Sequence, residues 1–289
     1  MRLLFSWRKK KVLHKSTLVA EHLSARCDVS TTARVREGNL RQSGVFNWLG
    51  VLKVHLHEGN TFKVAVSGIV LIKVKHALVN ADDVVRVPKN VLESDSLAVF
   101  LAADDTPWSV APLSYMTHPE YEYSTLNTIA VLELNSDDAQ DYPLNPICFP
   151  EAMFNTSGFL YLTGYTDENQ VLEKVIYKIQ YLEKKVCEEF YNRAGLSDAK
   201  RAPTAYVCGF APYNGTHCVW DNGMALVSNA TGWFTLVGFG VRGPGCAAPA
   251  RFIDIFQYLD WIRSATAENV PMYDAIEDYR RDNSHKPSV

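Results

Sequence analysis

The segment Cys218-Val219-Trp220-Asp221-Asn222-Gly223-Met224-Ala225-Leu226 holds the residues whose order says most about chemistry. Its centre sets the carboxamide of Asn222 between a carboxylate and a glycine. Acyl transfer needs a nucleophile from which a base can take a proton, such as a hydroxyl or a thiol. Asn222 offers neither. Histidine is the commonest general base, but His118 and His217 read as structural or surface residues, because neither stands with a partner serine. The six cysteines permit many pairings, and their number alone selects none of them.

These residues need a scaffold, and the texture of the chain predicts one. From Trp48 onward, short runs rich in Val, Ile, Leu, Phe and Tyr alternate with turn residues. Examples are Leu49–Leu56, Phe62–Val66, Ile69–Val74, Leu97–Leu101, Ile129–Leu134, Phe159–Leu162, Val175–Leu182 and Trp233–Phe239. Many short strands at such spacing predict an all-β sandwich or barrel. Two segments read as helix: Glu183–Arg193, and Asp254–Ser264 with Ile255, Phe256, Leu259 and Ile262 at helical spacing. Residues 1–34 are basic and polar, and residues 265–289 form a polar tail with mixed charge.

A chain of 289 residues that is 47% apolar can bury a sizeable core. Its net charge of -3 gives no electrostatic case for nucleic acid or for a membrane surface. No apolar run approaches the ~18 residues of a spanning helix. No residue pattern calls for a cofactor or a metal. The sequons at Asn155, Asn214 and Asn229 point toward secretion. The N-terminus does not: Arg8-Lys9-Lys10-Lys11 has no apolar stretch after it, unlike a usual signal peptide, and reads as a solvated leader or a misplaced start.

Several landmarks, in order, resemble the trypsin-like serine protease family. Gly44-Val45-Phe46-Asn47-Trp48 is similar to Gly-x-Phe-Pro-Trp, and Ser67-Gly68-Ile69-Val70-Leu71-Ile72 to Cys-Gly-Gly-x-Leu-Ile. His118-Pro119-x-Tyr121, Asn127-Thr128-Ile129-Ala130-Val131-Leu132 and Pro146-Ile147-Cys148-Phe149-Pro150 come next in the family's order. Gly238 to Cys246 resembles Gly-Ile-Val-Ser-Trp-Gly-x-Gly-Cys, and Tyr258-Leu259-Asp260-Trp261-Ile262 resembles the closing helix. The likeness covers roughly Arg34 to Ile262. It implies two packed six-stranded antiparallel β-barrels with a C-terminal helix. The implied layout is a leader over 1–34, a protease-like domain over 35–264 and a tail over 265–289.

The same resemblance implies a degenerate catalytic centre. Val79-Asn80-Ala81-Asp82-Asp83 stands in place of Thr-Ala-Ala-His-Cys, so Asp82 replaces the general base. Thr128 replaces the aspartate that orients that base, and Asn222 replaces the serine. An exposed carboxylate, with an ordinary pKa of ~4, is poorly matched to taking and returning a proton near neutrality. Trp220 stands where the oxyanion hole uses glycine, and Thr216 where trypsin carries its specificity aspartate. Arg34-Val35 occupies the place of the activation bond.

Two family disulfides are lost at both ends on this alignment: Ser67 with Asp83, and Leu160 with Ser228. The resemblance then implies the bridges Cys27–Cys148, Cys187–Cys208 and Cys218–Cys246. Cys27 would hold the leader to the body after a cut at Arg34, an arrangement similar to arthropod protease homologues. The function implied is a secreted, non-catalytic homologue that binds a protein, either an active serine protease or its zymogen substrate. The alternative is a hydrolase with residual chemistry through Asp82 and Thr128. The segment Ala199-Lys200-Arg201-Ala202-Pro203 is the candidate contact loop.

Overall fold

The computed structural model describes residues 27–29, 36–58, 61–122, 126–135, 143–151, 160–166, 171–195, 205–210, 223–241 and 249–267. The first strand, β1 (Gly38–Arg41), belongs to the second of two sheets. The first sheet contains β2 (Leu49–Glu58), β3 (Thr61–Lys73), β4 (His76–Asn80), β5 (Ser96–Leu101), β6 (Pro107–Val110), β7 (Pro112–Thr117) and β8 (Ile129–Leu134). Their spatial order is β6-β5-β2-β3-β4-β8-β7, antiparallel throughout. The second sheet adds β9 (Leu160–Thr166), β10 (Glu173–Lys178), β11 (Gln180–Leu182), β12 (Tyr206–Phe210), β13 (Ala225–Ser228), β14 (Thr235–Gly240) and β15 (Ala250–Asp254). Its order is β1-β10-β9-β13-β14-β15-β12-β11.

Both curled antiparallel sheets match the double barrel that the resemblance implies. The strand count exceeds six in each for local reasons. Ala111 alone separates β6 from β7, and Ile179 alone separates β10 from β11. Ile179 is buried in the second core and donates its N–H to Leu160 O at 3.0 Å, which turns the chain between two ladders. The run Val175–Leu182 is therefore two strands. Conversely, Phe62–Val66 and Ile69–Val74 fuse into β3, because Ser67 and Gly68 stay in register with Leu52 and Val51.

Four helices occur among the described residues: α1 (Ala81–Val84), α2 (Lys89–Ser94), α3 (Lys184–Arg193) and α4 (Ile255–Ala265). Periodicity predicts the two longer ones. In α4, Ile255, Tyr258, Leu259 and Ile262 are buried on one stripe, and Asp254 caps the first turn by accepting from Phe256 N at 3.2 Å. The two short helices are additions to the sequence reading, since one or two turns give no periodic signal. No helix among the described residues is long and apolar enough to cross a membrane.

The larger core joins both sheets. Phe46 and Trp48 are buried in it, and Phe46 meets Phe234 edge-to-face at 5.1 Å. A smaller core, with Leu162, Leu226, Val237 and Phe252, fills the second sheet alone. The connector at 143–150 stitches the halves: Ile147 N donates to Leu71 O at 3.0 Å, and Cys148 O accepts from Leu236 N at 2.8 Å. Lys174 adds a polar tie. It is fully buried on β10, and its ammonium donates to Phe46 O at 2.9 Å and Val45 O at 3.1 Å.

Candidate functional site

Strand β4 ends at Asn80, which caps α1 and sets the position of Asp82 in its first turn. The Asn80 Oδ1 accepts from Asp82 N at 3.2 Å and from the Thr128 hydroxyl at 2.7 Å. Asn80 also stands opposite Ile129, so Thr128 arrives at the mouth of β4 by register alone. The main chain repeats the contact: Ala81 N donates to Thr128 O at 3.3 Å. Asp82 and Thr128 are thus brought together, but the Thr128 proton goes to Asn80. Both Asn80 and Thr128 are buried.

Asp82 departs from the expected exposed carboxylate. It is only 8% exposed, and its Oδ1 accepts a hydrogen bond from the Tyr121 hydroxyl. Tyr121 is delivered by the turn that starts at His118, whose carbonyl accepts from Tyr121 N at 2.9 Å. His118 itself packs against the rings of Tyr258 at 5.3 Å and Trp261 at 5.2 Å. Partial burial pulls its pKa below the ordinary value. This is a structural role, in line with the sequence. Asn80 and Tyr121 are the site residues that the sequence does not single out. Both lie inside motifs that carry the family resemblance, and neither motif says that the side chains converge.

The chain that follows Asn222 enters the described structure at Gly223. Gly223 has φ +72, and a Cβ there would lie 2.0 Å from Gly68 O of β3. Only glycine permits that backbone conformation and that approach. On its other side, Gly240 N donates to Met224 O at 2.7 Å. The end of the Asn222 segment is therefore clamped between β14 and the first barrel. Gly68 adjoins Ser67, whose hydroxyl donates to Asp83, the neighbour of Asp82. The chain positions around the candidate centre thus form one connected patch.

The cysteines sharpen the correspondence. Cys27–Cys148 and Cys187–Cys208 are bonded, with Cα separations of 4.8 and 6.4 Å. The two positions of each absent cross-link also meet. Ser67 contacts Asp83 through the hydrogen bond just given, and Leu160 stands directly opposite Ser228 across β9 and β13. Asn229, the one sequon asparagine among the described residues, lies in the turn after β13, where its carbonyl accepts from Gly232 N at 3.1 Å. Asn222, Trp220, Thr216, His217, Cys218, Cys246, Arg34, Val35, Asn155, Asn214 and the loop at 199–203 lie outside the described residues.

Comparison with known proteins agrees with this geometry. Residues 103–262 match the family model described as Trypsin. The protein described as "Serine protease filzig" from Drosophila melanogaster is 30% identical over 164 residues, which cover 52% of this chain and 10% of that protein. The chain therefore spans about a tenth of the length of that relative. With the double barrel, the two formed disulfides and more than half its length inside the family model, the chain belongs to the trypsin family.

Proposed function

We propose that the chain is a non-catalytic member of its family, acting as a binding module, a cofactor or decoy, in an extracellular proteolytic cascade. The observation that carries this reading is Asn222, a carboxamide where the acyl-transfer nucleophile must stand. Two contacts support it. Asp82 accepts from Tyr121, and Thr128 donates to Asn80, so the pair is not arranged as base and orienter. Trp220 in place of glycine adds a third failure, at the oxyanion donor. Loss of a single triad member costs on the order of 10⁴–10⁶ in kcat, and here all three are replaced. The two disulfides favour an oxidising compartment.

The partner in this reading is a protein, an active serine protease or its zymogen substrate. The test is labelling of purified protein with a fluorophosphonate, before and after cleavage following Arg34. No labelling above a heat-denatured control is expected, and labelling of any residue in the domain would overturn the reading. Co-purification with a serine protease from extracellular fluid tests the regulatory half.

A further inference from the structure

The turn between β13 and β14 carries a motif that the catalytic positions do not use. Asn229-Ala230-Thr231 is an acceptor pattern for N-linked carbohydrate, with alanine and not proline in its middle. So short a pattern recurs by chance, and the fold decides whether a sugar has room there. An asparagine facing a core has none, whereas a turn on the surface has. Asn229 opens a four-residue reverse turn, closed by Gly232 N donating to Asn229 O at 3.1 Å. Asn229 is partly buried, and Ala230, Thr231 and Gly232 are exposed. Gly232 has φ +92, and a Cβ there would meet nothing within 4 Å, so the turn stands clear of the body. Its base is nonetheless fixed. Ala230 N donates to Ser228 Oγ at 3.3 Å, the Thr231 hydroxyl to Trp233 O at 3.2 Å, and the Thr235 hydroxyl to Ser228 O at 3.3 Å. None of these bonds uses the Asn229 carboxamide.

We propose that Asn229 carries an N-linked glycan, on the end of β13 that points away from the candidate site. In the transfer, Nδ2 of Asn229 attacks C1 of the first sugar of an oligosaccharide held on a polyprenyl pyrophosphate. The N–C bond forms as the C1–O bond to the pyrophosphate breaks. The pyrophosphate leaves with the electron pair, the amide gives up one proton to a base of the transferase, and nothing is oxidised or reduced. The placement follows from the strand. β13 begins at Ala225, two residues after Gly223 and its approach to Gly68, and ends at Ser228. A rise of ~3.3 Å per residue puts Ser228 about 10 Å beyond Ala225, before Asn229 is reached. The glycan therefore covers the turn and leaves the patch around Asp82 and Gly223 uncovered. The inference rests on the extracellular half of the proposed function, because the transfer takes place in the secretory compartment. It holds whether or not the chain cuts peptide bonds.

The test directs the full chain into the secretory compartment of cultured eukaryotic cells behind a cleavable signal peptide, which separates failure of the site from failure of export. Secreted protein is treated with peptide N-glycosidase in heavy-oxygen water and mapped by mass spectrometry. Conversion of most of Asn229 to heavy-labelled aspartate is expected. On gels, Asn229→Gln and Thr231→Ala should each remove one step of the glycosidase-sensitive shift, and Thr231→Ser should retain it. If a variant is not secreted, the peptide map of the unaltered chain decides alone. An unmodified Asn229 peptide in the secreted protein overturns the proposal, as does a shift that Asn229→Gln leaves whole. Detection of the native protein in extracellular fluid tests the underlying reading separately. Its absence there, with Asn229 modified behind the signal peptide, would overturn that reading and uphold the site.

Discussion

In the first barrel, the positions where the family resemblance implies a lost cross-link are Ser67 and Asp83, joined by a hydroxyl-to-carboxylate hydrogen bond. In the second barrel they are Leu160 and Ser228, which face each other across paired strands. The difference stems from the main chain. Leu160 and Ser228 close a four-pair ladder between β9 and β13, so backbone hydrogen bonds already fix their separation. Ser67 lies on β3, whereas Asp83 lies on α1, and no ladder joins those two elements. A cross-link is dispensable where a ladder does its job. Elsewhere a polar contact has taken its place.

The largest effect should come from a cross-link that remains. Cys27→Ala with Cys148→Ala opens a loop with a sequence separation of 121. The entropy model puts the loss at about 3–5 kcal/mol, readable from urea unfolding midpoints. Next comes Leu160→Ala. Leu160 is 2% exposed in the small second core, and a cavity there should cost about 2–4 kcal/mol. A cost below about 1 kcal/mol would show that packing does not replace the lost bond.

The polar replacement should be worth less, and the two serines should differ. Ser67→Ala removes the donor to a part-buried carboxylate and should cost about 1–2 kcal/mol. Ser228→Ala removes an acceptor from the N–H of exposed Ala230, which water can serve, and should cost under about 1 kcal/mol. Equal losses in paired denaturation curves would erase the contrast between the barrels.

A further contrast separates the barrels by pH. On β4, burial first and then Lys73 lower the His76 pKa from 6.5 to about 4. On β10, burial lowers that of Lys174 from 10.5 to about 7. In each window the unfolded chain binds the proton and the folded chain does not. Stability therefore rises with pH across both windows. His76→Phe should flatten the slope between pH 4 and 6.5, and Lys174→Met the slope between pH 7 and 10.5. Melting temperatures across pH check both, and a slope that survives its own substitution refutes that assignment.

How much of the molecule is legible in the chain depends on range. The stripe on α4 and the strand runs are legible because periodicity is local. The Cys27–Cys148 and Cys187–Cys208 bridges are legible through family likeness and not through counting. The burial of Asp82 is not, because its cover, Tyr121, lies 39 residues further on. Nothing near position 82 announces a phenol. The cap at Asn80 is equally hidden, since its second donor, Thr128, is 48 residues away.

The bridge from Cys27 to Cys148 has a kinetic consequence. Cys148 sits on the connector between the barrels, while Cys27 lies upstream of Arg34-Val35. If that peptide bond were cut, the upstream piece would become a separate chain that dilution could not remove. Tethered at this point, it would meet nearby surfaces of the body at an effective concentration of about millimolar. A free competitor for those surfaces would have to exceed that figure, so reduction of one disulfide, more than hydrolysis of one peptide bond, would set when the upstream piece leaves.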